Sequence, residues 1–390
     1  MRRGRDRASL PRVRATVLGA MIVMSCGGGA EPGPTAPDPR PGEIEPAGAG
    51  GAEPSAKEST SKPAEPAAGA AAPEPAEPDA GAAAPEPTEP DPLTFDATRS
   101  TSIGSPTHGR LEGGVALPLR APGLLFLPRK DPGSRYGTVE LVQGLVRAAA
   151  AMERAEAGAP VSIGDLSREA GGNIPSHASH RSGRDVDVLF FLRREADDEP
   201  FLPSKFIPLD PEGRGTDYGD LADPFDDVPV RIDLRRTWSF VAALLADEST
   251  DLQSILVVEH LRSLLLEEAE RVGSPPELIQ RFSEITCQPK LPHDDHMHIR
   301  VFCSADDIAA GCEDTPPVYP WRRRELAASG TKVVLAGKAP PDAEEEPRPK
   351  LKTIEQARAE AGPMHEDVVE FLDRRKAWAS KPHPGRRWCR

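Results

Sequence analysis

The sequence predicts an α+β fold for one compact domain of roughly residues 98–325, flanked by segments that do not fold into it. Three observations lead there. Helix-period and strand-period segments both occur between Ser100 and Trp321, without the even βαβ rhythm of a doubly wound sheet. The 44 prolines of the 390-residue chain are densest before Pro92, where large apolar residues are almost missing. Histidine and aspartate gather in two short segments, each beside an apolar strand candidate. The sheet bearing those segments is expected to be small and antiparallel.

Taken in order, Ser102-Ile103-Gly104 and His108-Gly109-Arg110-Leu111 mix apolar pieces with glycine turns, as short strands do. Thr138 to Met152 carries Val139, Leu141, Val142, Leu145 and Val146 at helical spacing, followed by an alanine run. Val186 to Leu192 is a compact strand candidate. Asp233 precedes a second helix in which Trp238, Val241, Leu244 and Leu245 recur, and Trp238 reads as core. Leu252 to Val258 predicts a strand, Leu261 to Ala269 a helix, and Pro276 to Phe282 a short helix. Glu259-His260 follows the Leu252 strand and reads as structural. Met297 to Phe302 is the final strand. After Trp321 order is expected to fade: Arg322-Arg323-Arg324 reads as a solvated edge, Ala339 to Pro349 is acidic and proline-rich, and Thr353 to Trp378 has moderate helical character. Residues 326–390 are a tail without an assigned role.

The N-terminus reads as an export signal over residues 1–26. Arg2, Arg3, Arg5, Arg7, Arg12 and Arg14 precede an apolar run from Ala15 to Met24, about half the roughly 20 residues a spanning helix needs. Val23-Met24-Ser25-Cys26 resembles a lipobox, which implies lipidation of Cys26 and a periplasmic, lipid-anchored protein, at the outer membrane. Residues 27–97 repeat Ala-Ala-Pro-Glu-Pro motifs without core-forming residues and are expected to be a disordered tether. A net charge of −14 argues against nucleic acid as a partner and against bulk attraction to anionic lipid. Export would place Cys287, Cys303, Cys312 and Cys389 in an oxidising compartment. Four cysteines allow three pairings; the nearness of Cys303 to Cys312 favours that pair, and Cys287 with Cys389 is the weaker, remaining possibility.

The chemistry is concentrated in Gly171 to Asp187 and Pro292 to Arg300, which together hold five of the nine histidines. A catalytic metal takes three nitrogen or oxygen ligands and leaves a position open. His180 and Asp187 are too far apart for one helical face, but a turn at Ser182-Gly183 can fold the histidine back towards the strand carrying Asp187. On a strand, His296 and His298 project to one side, so one can bind metal while the other faces substrate. The pairing of an H-x6-D pattern with an H-x-H pattern points to an open three-ligand site, although a lone strand histidine is more often only packed.

The segments Ser-His-x-Ser-His-x-Ser-Gly-x-Asp-x-Asp and His-Asp-Asp-His-x-His-x-Arg resemble those of penicillin-insensitive murein endopeptidases, within the lysostaphin, D-alanyl-D-alanine and hedgehog-like metallopeptidases. The resemblance spans about residues 100–322. It implies a zinc peptidase domain in which His180, Asp187 and His298 hold Zn2+, and His296 and His293 handle protons or steady the oxyanion. It also implies that His177 relates to a possible second metal, whose partners are not found between Asp187 and Trp238. The Cys303–Cys312 pair resembles a disulfide of the family. Asp185, Asp294 and Asp295 are expected to orient ligands from behind. The implied reaction is hydrolysis of D-alanyl–diaminopimelate cross-links in peptidoglycan by a metal-activated water. A carboxypeptidase or amidase acting on a neighbouring bond, or a non-catalytic wall-binding protein, are the alternatives.

Overall fold

The helix Val139–Ala155 shows why the apolar spacing matters. Thr138 caps its start by accepting from the Leu141 amide, and Leu141, Val142, Leu145, Val146 and Met152 form one buried stripe. Gly144 lies on that stripe because a Cβ there would meet Thr250 Oγ1 at 2.2 Å. The helix Leu234–Ala246 packs beside it, capped by Asp233 accepting from the Arg236 amide. Trp238 is core as expected, 2% exposed, with Nε1 donating to Ser274 Oγ. This computed structural model describes residues 99–174, 177–289, 293–337 and 361–379, with Ala359 and Cys389. The expected signal and tether, residues 1–97, and the stretch Ala339 to Pro349 lie outside the described residues.

The principal sheet has seven strands in the order Thr286–Cys287, Leu252–Leu256, His296–Val301, Asp185–Leu189, Val161–Ile163, Leu124–Phe126 and Arg120–Ala121. It is larger than the small antiparallel sheet predicted, and it is mixed. Leu124–Phe126 runs parallel to Val161–Ile163, and Leu252–Leu256 runs parallel to Thr286–Cys287. The reason is connectivity. A parallel pair needs a crossover, and Val139–Ala155 supplies the first; Glu259–Arg271 and Pro276–Ile285 supply the second. At the sheet's centre the three strands His296–Val301, Leu252–Leu256 and Asp185–Leu189 are antiparallel.

The single strand expected from Val186 to Leu192 is divided. Its first half stays in the principal sheet, while Leu192–Arg194 enters a four-stranded antiparallel sheet with Pro200–Phe201, Val228–Ile232 and Arg214–Asp217. A hairpin pairs Thr101–Ser105 with His108–Glu112, as the glycine-rich opening suggested.

Order continues past Trp321. Pro320–Ala328 is helical, and Glu366–Ala379 is a helix of 14 residues. Arg322 is not a solvated edge: it is 4% exposed, pairs with Asp251 and donates to the Cys303 carbonyl at 2.6 Å. Arg323 and Arg324 are exposed. Disulfides join Cys303 to Cys312 and Cys287 to Cys389. Among the described residues, no helix is long and apolar enough to cross a membrane.

Candidate metal centre and active site

Strand register builds the site. Asp187 lies directly across from His298, and Asp185 from Arg300, on adjacent antiparallel strands. Opposite residues share a face, and so do residues two apart, so Asp185, Asp187, His296, His298 and Arg300 stand on one side of the sheet. His180 reaches that side through a tight turn. Its backbone has φ 69°, and Gly183 has φ 75° with its missing Cβ only 2.7 Å from the Leu111 side chain. Asp185 secures the turn by accepting from the His180 amide at 2.9 Å.

Three donor atoms then converge. His180 Nε2 is 3.3 Å from Asp187 Oδ1 and 3.2 Å from His298 Nδ1, and His298 Nδ1 is 3.1 Å from Asp187 Oδ1. The far nitrogens of both rings are already assigned partners: His180 Nδ1 faces the Leu166 carbonyl at 2.6 Å, and His298 Nε2 faces Asp185 Oδ1 at 3.2 Å. Those partners are acceptors, so a neutral ring places its proton there and turns its lone pair towards Asp187. Two imidazole lone pairs and a carboxylate oxygen thus meet in a buried place. A tetrahedral divalent ion with bonds of about 2.0–2.1 Å spaces its ligands by about 3.3–3.4 Å, close to all three separations. The donor set fits a metal.

The carboxylates there stay ionised and attract positive charge, whether proton or metal. Burial opposes ionisation of Asp187, yet the facing His180 and His296 hold its carboxyl well below the usual range. Burial likewise disfavours the Asp185 carboxylate, and Arg300 and His298 outweigh it, again far downward. For His180 burial acts against the cation, but Asp187 raises its pKa. His296 follows the same pattern: burial is overcome by Asp187 and Asp295, and the ring is raised to about 10.

His296 stands beside the triangle. Its Nδ1 meets Asp295 Oδ1 at 2.6 Å, its Nε2 is 3.5 Å from Asp187 Oδ1, and its ring lies edge-on to Phe206. His293 packs on it with ring centroids 4.7 Å apart. His177 approaches from the other flank. One atom each of His177, His180 and Asp187 fall within 4.8 Å, a looser set than the first; His177 Nδ1 is 3.8 Å from Asp187 Oδ2. The His177 Nε2 partner is Asp165, at 2.9 Å, upstream of the segment where sequence reading looks for it. Asp165 also pairs with Lys130 at 2.6 Å. The histidines open onto a cleft of about 480 Å³ whose other walls include Lys130, Phe206 and Arg375.

Not every candidate points inward alike. Asp294 is fully buried and bound by Arg375 and Trp378 instead of by a histidine. His260 contacts the Leu209 carbonyl at 3.1 Å, and Glu259 pairs with Arg262, as structural residues do. Lys130, Asp165, Phe206 and Arg375 are absent from the sequence-derived site, since none shares a motif or period with the histidines.

The profile of the family described as penicillin-insensitive murein endopeptidase matches residues 102–204, which contain His177, His180, Asp185 and Asp187. A penicillin-insensitive murein endopeptidase of Klebsiella pneumoniae subsp. pneumoniae is 29% identical over 225 residues, covering 56% of this chain and 72% of the relative. Over these residues the chain is similar to the penicillin-insensitive murein endopeptidase family. A relative of the same name from Pectobacterium atrosepticum is 29% identical over 228 residues, 58% of this chain and 73% of its own. One from Salmonella typhi is 28% identical over 221 residues, covering 55% and 70%. The His293 to His298 segment lies beyond the profile match, and the sheet brings it back to the first segment.

Proposed function

We propose that this protein is a zinc-dependent murein endopeptidase that hydrolyses D-alanyl–diaminopimelate cross-links of peptidoglycan. The observation that carries the reading is the convergence of two imidazole lone pairs and Asp187 Oδ1 at 3.1–3.3 Å, at the floor of an open cleft. His180, Asp187 and His298 would hold the ion, with the Leu166 carbonyl and Asp185 setting their tautomers. Bound there, zinc supplies Lewis-acid polarisation of the scissile carbonyl and a water acidic enough to react near neutral pH. His296, steered by Asp295, holds a proton beside the reacting amide and donates it to the developing oxyanion or the leaving amine. His293 supports it by packing against its ring. Lys130 and Phe206 line the same cleft. The chain would act from the periplasmic face of a membrane, held by a lipid on Cys26.

The test uses the full chain with purified cross-linked muropeptides. Release of uncross-linked monomers, stopped by a chelator and restored by zinc at close to one ion per chain, is the expected result. Loss of only a terminal D-alanine would establish a carboxypeptidase instead, and a metal content near zero or two would refute the single three-ligand centre. In cells, Cys26→Ser should move the protein from membrane to soluble fractions; a variant still membrane-bound after a salt wash overturns the lipid anchor.

A further inference from the structure

The helix Glu366–Ala379 lies beyond every motif discussed above, yet it reaches the catalytic loop. Arg375 donates Nε to Asp294 Oδ2 at 2.7 Å and Nη2 to Asp294 Oδ1 at 2.6 Å, a two-pronged bond across 81 residues of sequence. Trp378 adds a third donor, Nε1 to Asp294 Oδ2 at 3.0 Å. Asp294 is wholly buried and sits between His293 and Asp295, the carboxylate that steers His296. His293 itself is held at φ 52°, a left-handed conformation that a histidine adopts only when neighbours enforce it. Two backbone bonds fix the same loop from the other side: the Val258 amide donates to the His293 carbonyl, and the Leu209 amide to the Asp294 carbonyl.

The helix is tied down where it leaves the cleft. Gln288 donates to the Trp378 carbonyl, accepts from the Glu259 amide through its side chain, and accepts from the Cys389 amide through its carbonyl. The neighbouring Cys287 is disulfide-bonded to Cys389. Trp378 packs edge-on to His260, whose Nε2 meets the Leu209 carbonyl. Arg375 also lines the cleft beside the histidines, so the contact is part of the cleft wall and not a remote surface bond.

We propose that the C-terminal helix is a clamp for the catalytic loop: Arg375 and Trp378, acting through Asp294, hold His293 and the Asp295–His296 pair in working register, and the Cys287–Cys389 disulfide keeps the clamp seated. Arg375 is a positioning residue here. A guanidinium fork matches a carboxylate in one plane and fixes its orientation as well as its charge, which a lysine does not do. The inference rests on the hydrolytic reading of the site for its activity readout alone.

The experiment compares full-length wild type with Arg375→Gln, Arg375→Lys, Trp378→Phe and Cys389→Ser. It reads bound zinc, kcat and KM on cross-linked muropeptides, and hydrogen exchange of peptides covering residues 293–301. Arg375→Gln should keep its zinc, lose about 10–100-fold in kcat with KM within about threefold, and exchange the 293–301 amides at least about tenfold faster. Arg375→Lys should recover only part of the loss. Trp378→Phe, which keeps the ring and drops one donor, and Cys389→Ser should move both readouts the same way by smaller factors. Unchanged kcat with unchanged exchange in Arg375→Gln overturns the clamp. So does zinc loss with faster exchange throughout the domain, which would make the helix a support of the fold alone. If wild type cleaves no muropeptide while the 293–301 exchange still rises selectively, the clamp stands and the proposed reaction falls.

Discussion

His180 and Arg184 are four positions apart on one turn, both essentially excluded from solvent, and their surroundings are opposite. Every nitrogen of Arg184 donates to an acceptor: Nε to Ser102 Oγ, Nη1 to Asp314 Oδ1 and the Val301 carbonyl, and Nη2 to the Glu313 carbonyl. Around His180 acceptors face acceptors, with Asp187 Oδ1 and His298 Nδ1 both within 3.3 Å of Nε2. A buried charge whose donors are matched is complete and serves the fold. Converging lone pairs are complete only with a cation between them, supplied by protons or by a metal. The same few residues therefore separate a structural network from a chemical one.

The sharpest way to break this comparison lies within the histidine set. His298→Ala should lose zinc and all hydrolysis, because one corner of the donor triangle is gone. His296→Ala should keep zinc and lose about 10²–10⁴-fold in rate, the usual cost of removing a proton-transfer group. Metal analysis beside turnover decides it; zinc lost only from the His296 variant would reverse both assignments. On the structural side, Arg184→Met leaves Asp314 buried without its guanidinium and should cost about 3–5 kcal/mol in denaturant unfolding. Its folded fraction should bind zinc as wild type does, and a folded variant that cannot would show that the two networks are one.

The smallest effect is pH-dependent. Asp307 accepts from the Ser102 amide at the margin of the Arg184 network; burial pushes its carboxyl up to about 6, against the opposing pull of that bond. With the folded value above the unfolded 3.8, the native state holds more protons between about pH 4 and 6. Stability from this group is therefore fully present below about pH 4 and lost as pH rises through 6. Asp307→Asn should remove that slope, worth on the order of 1–3 kcal/mol. Urea midpoints of both proteins at several pH values measure it, and parallel curves would count against the raised carboxyl.

Much of the domain was legible because local patterns survive folding. Asp233 caps the helix it was expected to precede, and the stripe from Leu141 to Met152 is buried as its period required. The two polar segments stood out for the same reason, since period-two spacing alone puts His296 and His298 on one face. Arg322 misled because its partner is remote: it is buried against Asp251. The helix from Glu366 falls where helical character was expected, but its docking on Asp294 and Gln288 was not legible.

By itself the sequence determined the α+β class, the longer helices, and the strands beside which histidine and aspartate gather, since periodicity and residue type are local properties. Tertiary structure alone decided the mixed seven-stranded order, the register that sets Asp187 opposite His298, and the direction in which each imidazole points its lone pair. It also decided that Asp165 partners His177 and that Arg375 grips Asp294. Such contacts depend on which strands become neighbours and on which acceptor each ring meets. Closing the chain over 81 residues, as between Arg375 and Asp294, leaves no imprint on the spacing of residues along it.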